Sequence, residues 1–302
     1  MEMRLFEYAL AIYQFKSFTK AAESLHIAQP SLSKQIAKLE QELDLTLFER
    51  YVNGIKLTED GHIFIKHAEK ILQMRDDLNR ELLERKDGFA GELKIGCTAT
   101  TGGHILPPLL SAYETKHPQV NIELVEASTK KLTEMTVSGE VDIAILSLPV
   151  DTRLHVQKIL TESLYLVLPT AKKHWMSDQL YQAIQTNQKH IPIAALSDCP
   201  FILLKEGYGF RSTVMELCAS GGFEPQIAYE TSSMEMVQSL AANGFGITIV
   251  PEMARLHGKH KEALAFIQLD TKPTRTLVFA YRKQRYLSRN AKALMEINQA
   301  TI

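Results

Sequence analysis

Ser17-Phe18-Thr19-Lys20-Ala21-Ala22-Glu23-Ser24-Leu25, His26-Ile27-Ala28 and Gln29-Pro30-Ser31-Leu32-Ser33-Lys34-Gln35-Ile36 follow one another near the start of the chain, and they read as helix, turn, helix. Ser17 can cap the first helix, whose residues 20–25 are good helix formers with Ala21, Ala22 and Leu25 at helical spacing. Pro30 suits the first turn of the second helix, where its missing N–H costs nothing. Leu32, Ile36 and Leu39 form that helix's buried stripe; Ser31, Ser33, Lys34, Gln35 and Lys38 take its remaining surface. Ala22 stands where the two helices approach, so a small side chain fits there. A helix-turn-helix puts the start of its second helix in the major groove of DNA, where such side chains reach base edges and phosphates. Bulk charge adds nothing to this: residues 1–60 carry seven basic and nine acidic groups, so a plain solvated helix hairpin stays open as the alternative.

On the N-terminal side, Leu5, Phe6, Ala9, Ile12 and Tyr13 mark one face of a further helix. On the C-terminal side, Thr58-Glu59-Asp60-Gly61 reads as the cap and acidic first turn of a long helix with no proline from 59 to 87. Its stripe Phe64, Ala68, Ile71, Leu78, Leu82 steps by four, three, seven and four, with Arg75 in the missed position. Spacing alone leaves two uses for it, packing on its own chain or a dimer seam. Gly88 and Gly91 mark a linker. Beyond them strands are expected at 93–97, 120–124, 141–148, 163–168, 201–204, 246–250 and 276–282, with helices near 103–117, 129–138, 211–220 and 233–243. That alternation predicts an α/β architecture with parallel sheets, in two lobes with ligand space at strand ends.

At 302 residues and 45% hydrophobic content the chain has material for about two domains and is not disordered in type. Its three cysteines, Cys97, Cys199 and Cys218, form no C-x-x-C pair, which excludes a disulfide scaffold and suits a reducing cytoplasm. The opening Met1-Glu2-Met3-Arg4-Leu5-Phe6-Glu7 is too acidic for a signal peptide, and no run of ~18 apolar residues predicts a membrane span. A cytoplasmic protein is expected. The histidines show no H-E-x-x-H and no ligand spacing, so no metal and no cofactor are expected.

The wider string adds Leu43, Leu47-Phe48-Glu49-Arg50 and Leu57-Thr58-Glu59-Asp60-Gly61. Over about 60 residues without a gap it resembles the winged helix-turn-helix of LysR-type transcriptional regulators. Gly91-Glu92-Leu93-Lys94-Ile95-Gly96, Gly139-Glu140-Val141-Asp142-Ile143-Ala144-Ile145 and Asn243-Gly244-Phe245-Gly246-Ile247-Thr248-Ile249-Val250-Pro251 resemble later landmarks of that family, so the resemblance spans the chain. It implies a multidomain fold: an all-α winged helix-turn-helix over 1–58, a long linker helix over 59–87, and an α/β two-lobed effector domain of the periplasmic-binding-protein-like type II. Lobe I would be 88–162 with 268–302 and lobe II 163–267, with crossovers near Glu162 and Ile267. It also implies a homodimer through the linker helix, a homotetramer built from two dimers, and double-stranded promoter DNA carrying an interrupted inverted repeat.

Residue by residue, Gln29, Pro30, Ser31, Ser33 and Lys34 match the family's DNA-contacting stretch, with Ser17 and Thr19 beside it. Gln29 and Ser33 are expected on base edges, and Lys34, Lys38 and Arg50 on phosphates; for Lys38 and Arg50 solvation or an ion pair with Glu42 or Glu49 is the competing expectation. For a small-molecule, anionic effector the first candidates are Thr98, Thr100 and Thr101, where Cys97-Thr98-Ala99-Thr100-Thr101-Gly102 joins a strand to a helix with hydroxyls and free N–H groups. Ser128, at a similar junction with Thr129, and Ser147, Phe201 and Leu203 at strand ends complete the set. Gly207-Tyr208-Gly209-Phe210-Arg211-Ser212 falls one glycine short of a dinucleotide loop and is read as a loop bordering the cleft. Cys97 is either a redox-sensitive thiol at a helix start or a buried structural one. An α/β enzyme with a helical accessory domain lacks a catalytic constellation, and a solute-binding protein leaves residues 1–87 without a role.

Overall fold

The computed structural model describes residues 1–51, 54–87, 89, 91–186, 188, 190–256, 261–283 and 286–301. The chain separates into two units, Met1–Lys86 and Asp87–Ile302.

In the first unit, helices α1 (Met3–Phe15), α2 (Phe18–Ser24) and α3 (Gln29–Leu43) precede an antiparallel hairpin, β1 (Phe48–Tyr51) and β2 (Gly54–Leu57), and the long helix α4 (Glu59–Asp87). Ser17 caps α2 by accepting the Lys20 N–H at 3.3 Å. Pro30 lies in the first turn of α3. Ala9, Ile12, Ala21, Leu32, Ile36 and Leu39 are buried together, and the ring of Phe18 meets that of Phe48 edge-on with centroids 6.2 Å apart. The hairpin is tied to α3 by one carboxylate: Glu40 Oε1 accepts the N–H of Leu47 at 2.7 Å and of Phe48 at 3.1 Å. Thr58 caps α4, accepting the Gly61 N–H at 2.9 Å and donating to the Thr46 carbonyl at 2.6 Å. Position 61 has to be glycine, because a Cβ there would stand 2.1 Å from the Leu47 carbonyl oxygen.

The stripe along α4 divides. Phe64 stacks on Phe6 with centroids 5.6 Å apart, Ala68 and Leu72 are buried with Phe6, and Arg75 pairs with Glu7 of α1. Further along, Met74, Leu78 and Leu82 are 72, 55 and 55% exposed.

The second unit runs β3 (Gly91–Cys97), α5 (Ala99–Lys116), β4 (Val120–Glu126), α6 (Thr129–Ser138), β5 (Ile143–Ser147), β6 (Leu154–Pro169), α7 (Asp178–Gln185), β7 (His190–Ile191), β8 (Pro200–Leu204), α8 (Gly209–Ser220), β9 (Gln226–Thr231), α9 (Met234–Ala242), β10 (Thr248–Pro251), α10 (Glu252–Leu256), β11 (Leu264–Leu269), β12 (Thr274–Arg282) and α11 (Arg289–Thr301). The main sheet has the order β4-β3-β5-β12-β6-β11-β7, with β10 also on β6. Strand β3 is parallel to β4 and β5, and β8 to β9. Against expectation, β10, β11 and β12 all run antiparallel to β6. The chain goes out along β6 and returns beside it, and a return beside an outgoing strand is antiparallel.

This unit holds two large hydrophobic cores and a smaller buried cluster of Leu132, Ala144, Leu146, Leu154 and Ala280. One large core gathers residues from Leu164 to Leu269; the other gathers Leu93 to Ile159 with Met253 and Leu277 to Ile297. Strand β6 serves both: residues 154–163 pair with β12, and residues 164–169 pair with β10 and β11.

Candidate functional site

Helix α3 is amphipathic as its sequence demands. Leu32, Ile36 and Leu39 are buried, while Pro30, Ser31, Lys34, Gln35 and Lys38 are exposed and Gln29 and Ser33 half-buried. Thr19 is exposed near the start of α2, and Ser17 spends its hydroxyl on the cap. Lys38 Nζ lies 3.8 Å from Glu42 Oε1, one turn away on the same helix. Arg50 lies on β1 opposite Ile55; its side chain is outside the described residues. On β1 the Tyr51 hydroxyl donates to the Glu49 carboxylate, which raises the phenol's pKa.

In the second unit a groove lies between the two cores. From one side it is lined by Thr98, Thr100, Thr101, Ile145, Leu146, Ser147, Arg275 and Leu277, and from the other by Leu204, Tyr208, Phe210 and Met234; its volume is about 40 Å³. Thr98 is the N-cap of α5, but its hydroxyl donates to Thr101 Oγ1 at 3.2 Å and caps no backbone N–H. The first intrahelical bond runs from Gly102 N–H to the Thr98 carbonyl at 2.8 Å, so the N–H groups of residues 99–101 stay open at the positive end of the helix dipole. Ser147, which ends β5, also lines the groove.

The remaining expected residues lie elsewhere. Ser128 caps α6, accepting the Lys131 N–H at 3.4 Å; its neighbour Thr129 is the one on the groove. Phe201 and Leu203 do not face the cleft. Both faces of β8 are covered, and these two side chains are buried in the core of their own half, which leaves Leu204 at the strand end to reach the groove. The glycine loop before α8 does border the groove: Thr129 Oγ1 accepts the Gly209 N–H at 2.9 Å, and the Lys130 N–H donates to the Gly207 carbonyl at 2.9 Å. These bonds latch one half of the unit to the other.

Cys97 is buried, and burial, with Glu126 adding to it, pushes its thiol up to about 11. Thiolate chemistry is therefore suppressed despite the helix start beside it. A Cβ on Gly102 would stand 2.3 Å from its sulfur, so the two residues fit only together.

Sequence reading missed Arg275. It is buried, lines the groove and pairs with Glu162, its register partner across β12 and β6. Burial lowers the guanidinium pKa and Glu162 opposes this; an arginine so placed stays charged. The signal was present as parity: Arg275 shares a strand face with buried Leu277 and Phe279, and Glu162 with buried Leu164 and Leu166. Among the described residues no group of three or more His, Cys, Asp or Glu is placed to hold a metal, and no helix is long and apolar enough to cross a membrane.

Comparison with known proteins agrees with this division. Residues 3–62 match the family model described as "Bacterial regulatory helix-turn-helix protein, lysR family", and residues 86–301 the one described as "LysR substrate binding domain". The "Uncharacterized HTH-type transcriptional regulator YcgK" of Bacillus subtilis is 45% identical, the match covering 100% of this chain and 95% of that protein. Full-length OxyR from Pseudomonas aeruginosa, solved as a variant, superposes with a TM-score of 0.72 at 26% identity, over 100% of this chain and 95% of that one. CbnR complexed with its target DNA gives a TM-score of 0.65 over 100% of both chains; at 23% identity the likeness is one of fold.

Proposed function

Because the chain belongs to the LysR family of bacterial helix-turn-helix proteins, and is a DNA-binding transcriptional regulator with a substrate-binding domain, we propose that it reads an interrupted inverted repeat in promoter DNA as a homodimer, and that a small anionic effector held in the groove modulates that binding. The observation that carries the DNA reading is α3 itself, buried along Leu32, Ile36 and Leu39 and open along Pro30, Ser31, Lys34 and Lys38. Gln29 and Ser33 read base edges. Lys34, Lys38 and Arg50 take phosphates, with Ser17, Thr19, Pro30 and Ser31 fixing the approach. Dimers of helix-turn-helix proteins read half-sites related by a two-fold axis.

We assign 1–58 to the winged domain, 59–87 to the linker helix, 88–162 with 268–302 to lobe I and 163–267 to lobe II. The separate hydrophobic cores support the lobes, and the exposed Met74, Leu78 and Leu82 support pairing along α4. Two dimers form the tetramer, and the protein works in the cytoplasm. The hydroxyls of Thr98, Thr100, Thr101 and Ser147, the open N–H groups of α5 and the buried Arg275 support an anionic ligand. Its different affinity for two arrangements of the oligomer biases DNA binding.

The test is binding of the full chain to its own upstream DNA and to a scrambled duplex at several salt concentrations. Selective binding is expected, with log K falling by about 0.9 per phosphate neutralised for each unit of log salt. Equal, weak binding to both duplexes would remove that promoter as the target.

A further inference from the structure

Among the described residues Arg275 is the one charged side chain on the groove, and its surroundings say what it waits for. Nε donates to Glu162 Oε1 at 2.8 Å, and Nη2 lies 2.7 Å from the same oxygen. The other glutamate oxygen is occupied, accepting the Met253 N–H at 2.9 Å. Nη2 also meets Met253 Sδ at 3.4 Å, and the guanidinium carbon lies 5.2 Å from the centre of the Phe210 ring. One edge and one face of the guanidinium are therefore engaged. Nη1 donates to no acceptor among the described residues, and Arg275 is one of the residues that line the groove. A buried guanidinium has five donors in a rigid fork, and idle ones are costly away from water.

The glutamate does not face the groove; the arginine does. A ligand entering there meets the guanidinium first, with the Glu162 carboxylate behind it. The rest of the lining sets the remainder of the ligand. Hydroxyls of Thr100 and Ser147 stand on one side, and Leu204, Met234 and Leu277 supply apolar wall. One remaining guanidinium nitrogen suits a single carboxylate head as a hydrogen-bond partner, and among the described lining residues a second carboxylate would have no cationic partner. The volume of about 40 Å³ admits only a few heavy atoms.

We infer that Arg275 anchors the head of a short-chain monocarboxylate in this groove, with Glu162 as the residue that positions the guanidinium. This rests on the groove being the effector site. Sulfate and phosphate share the anionic head, but they would leave the apolar wall without a partner. The small enclosed volume of the groove suits a short aliphatic tail better than an aromatic ring. Since Arg275 is the register partner of Glu162, and Glu162 lies on β6, the strand that serves both cores, the ligand's head is held at the junction itself.

The test uses the full chain and reads thermal stabilisation and calorimetric affinity for sodium propionate, propionamide, sodium benzoate and sodium sulfate, in the wild type and in Arg275→Lys, Glu162→Gln and Ser147→Trp. Propionate is expected to stabilise the wild type, and the other three to do little. Arg275→Lys, which keeps the charge and loses the fork, should weaken propionate by about tenfold or more, the worth of a hydrogen bond to a charged group. Glu162→Gln should lower the melting temperature but tighten propionate, because the guanidinium loses its competing carboxylate; a merely structural arginine would give only the first effect. Ser147→Trp fills the groove and should abolish binding.

Propionate binding lost in Ser147→Trp but unchanged in both pair variants keeps the groove as effector site and overturns the anchor. Stabilisation by propionamide or benzoate instead of propionate, again lost in Ser147→Trp, overturns the ligand class alone. Propionate binding that survives Ser147→Trp puts the site elsewhere and overturns both readings. No response to propionate in a folded wild type overturns the short monocarboxylate.

Discussion

Lys38 with Glu42 and Arg275 with Glu162 are both cation–carboxylate pairs, and they sit in opposite surroundings. The first is 71 and 48% exposed with its atoms 3.8 Å apart; the second is 6% exposed on both sides and 2.7 Å apart. Water screens the first, so opening it costs almost nothing, and Lys38 can exchange Glu42 for a phosphate. The second cannot open without stranding a charge in the interior. Arg275 can only add a partner. On the proposed reading the two regions would meet negative charge by different rules: the surface that carries Lys38 would exchange partners, and the groove would complete a set.

The largest effect expected breaks the buried pair. Arg275→Ala should cost about 3–5 kcal/mol in denaturant unfolding of the second unit, because Glu162 is left buried without its cation. A double replacement of Arg275 and Glu162 by apolar residues of similar volume should be far milder, and equal losses in both proteins would refute the account. On the exposed side, Gln29→Ala should lose about 1–3 kcal/mol of affinity for the specific duplex at unchanged stability, measured by titration against scrambled DNA. Ser17→Ala removes a helix cap and should cost about 1 kcal/mol of stability. Lys38→Ala should change stability by less than about 0.5 kcal/mol while reducing the salt slope of DNA binding by about 1; a large stability loss would mean the exposed pair is not exchangeable.

The cysteines sharpen the contrast from the buried side. Burial pushes Cys97, Cys199 and Cys218 each up to about 11. At neutral pH all three are thiols, and alkylation of the folded protein should be slow and become fast on unfolding. Their raised values also fix a sign. The unfolded chain loses these protons near pH 9 and the folded one near 11, so their contribution to stability is intact below pH 9 and declines as pH rises towards 11. Denaturation midpoints at pH 8, 9 and 10 check it.

Much of this was legible in the sequence wherever one residue's neighbours in space are its neighbours along the chain. Ser17 capping α2, Pro30 opening α3 and Thr58 capping α4 are all local events, and each reads from a few letters. Strand β3 announces itself by the alternation of Leu93, Ile95 and Cys97, and β8 as an apolar run. Strand β9 does not: Gln226 to Tyr229 are exposed, and no alternation marks them. The first half of β6 mixes His155, Gln157, Lys158 and Thr161 into the strand because one of its faces is wet, so only the apolar half was expected. The groove was half legible. The threonines after β3 belong to one junction, whereas Arg275 meets Glu162 across 113 positions of chain, and strand register alone brings them together. Phe201 and Leu203 show the converse error, since an apolar strand end reads alike whether it lines a cleft or fills a core.

The Glu40 carboxylate, which takes both the Leu47 and Phe48 N–H groups, has a consequence for recognition. It stands on the same helix as Gln29, Ser33 and Lys34, and it holds the start of the hairpin that carries Arg50. The angle between helix and hairpin is thus fixed when the domain folds. Under the proposed reading DNA would meet a pre-organised body, and the entropy of orienting the two elements would not be subtracted from the binding energy. Loosen that carboxylate and the same proposed contacts could still form, but the cost of orienting helix and hairpin would then come out of the affinity.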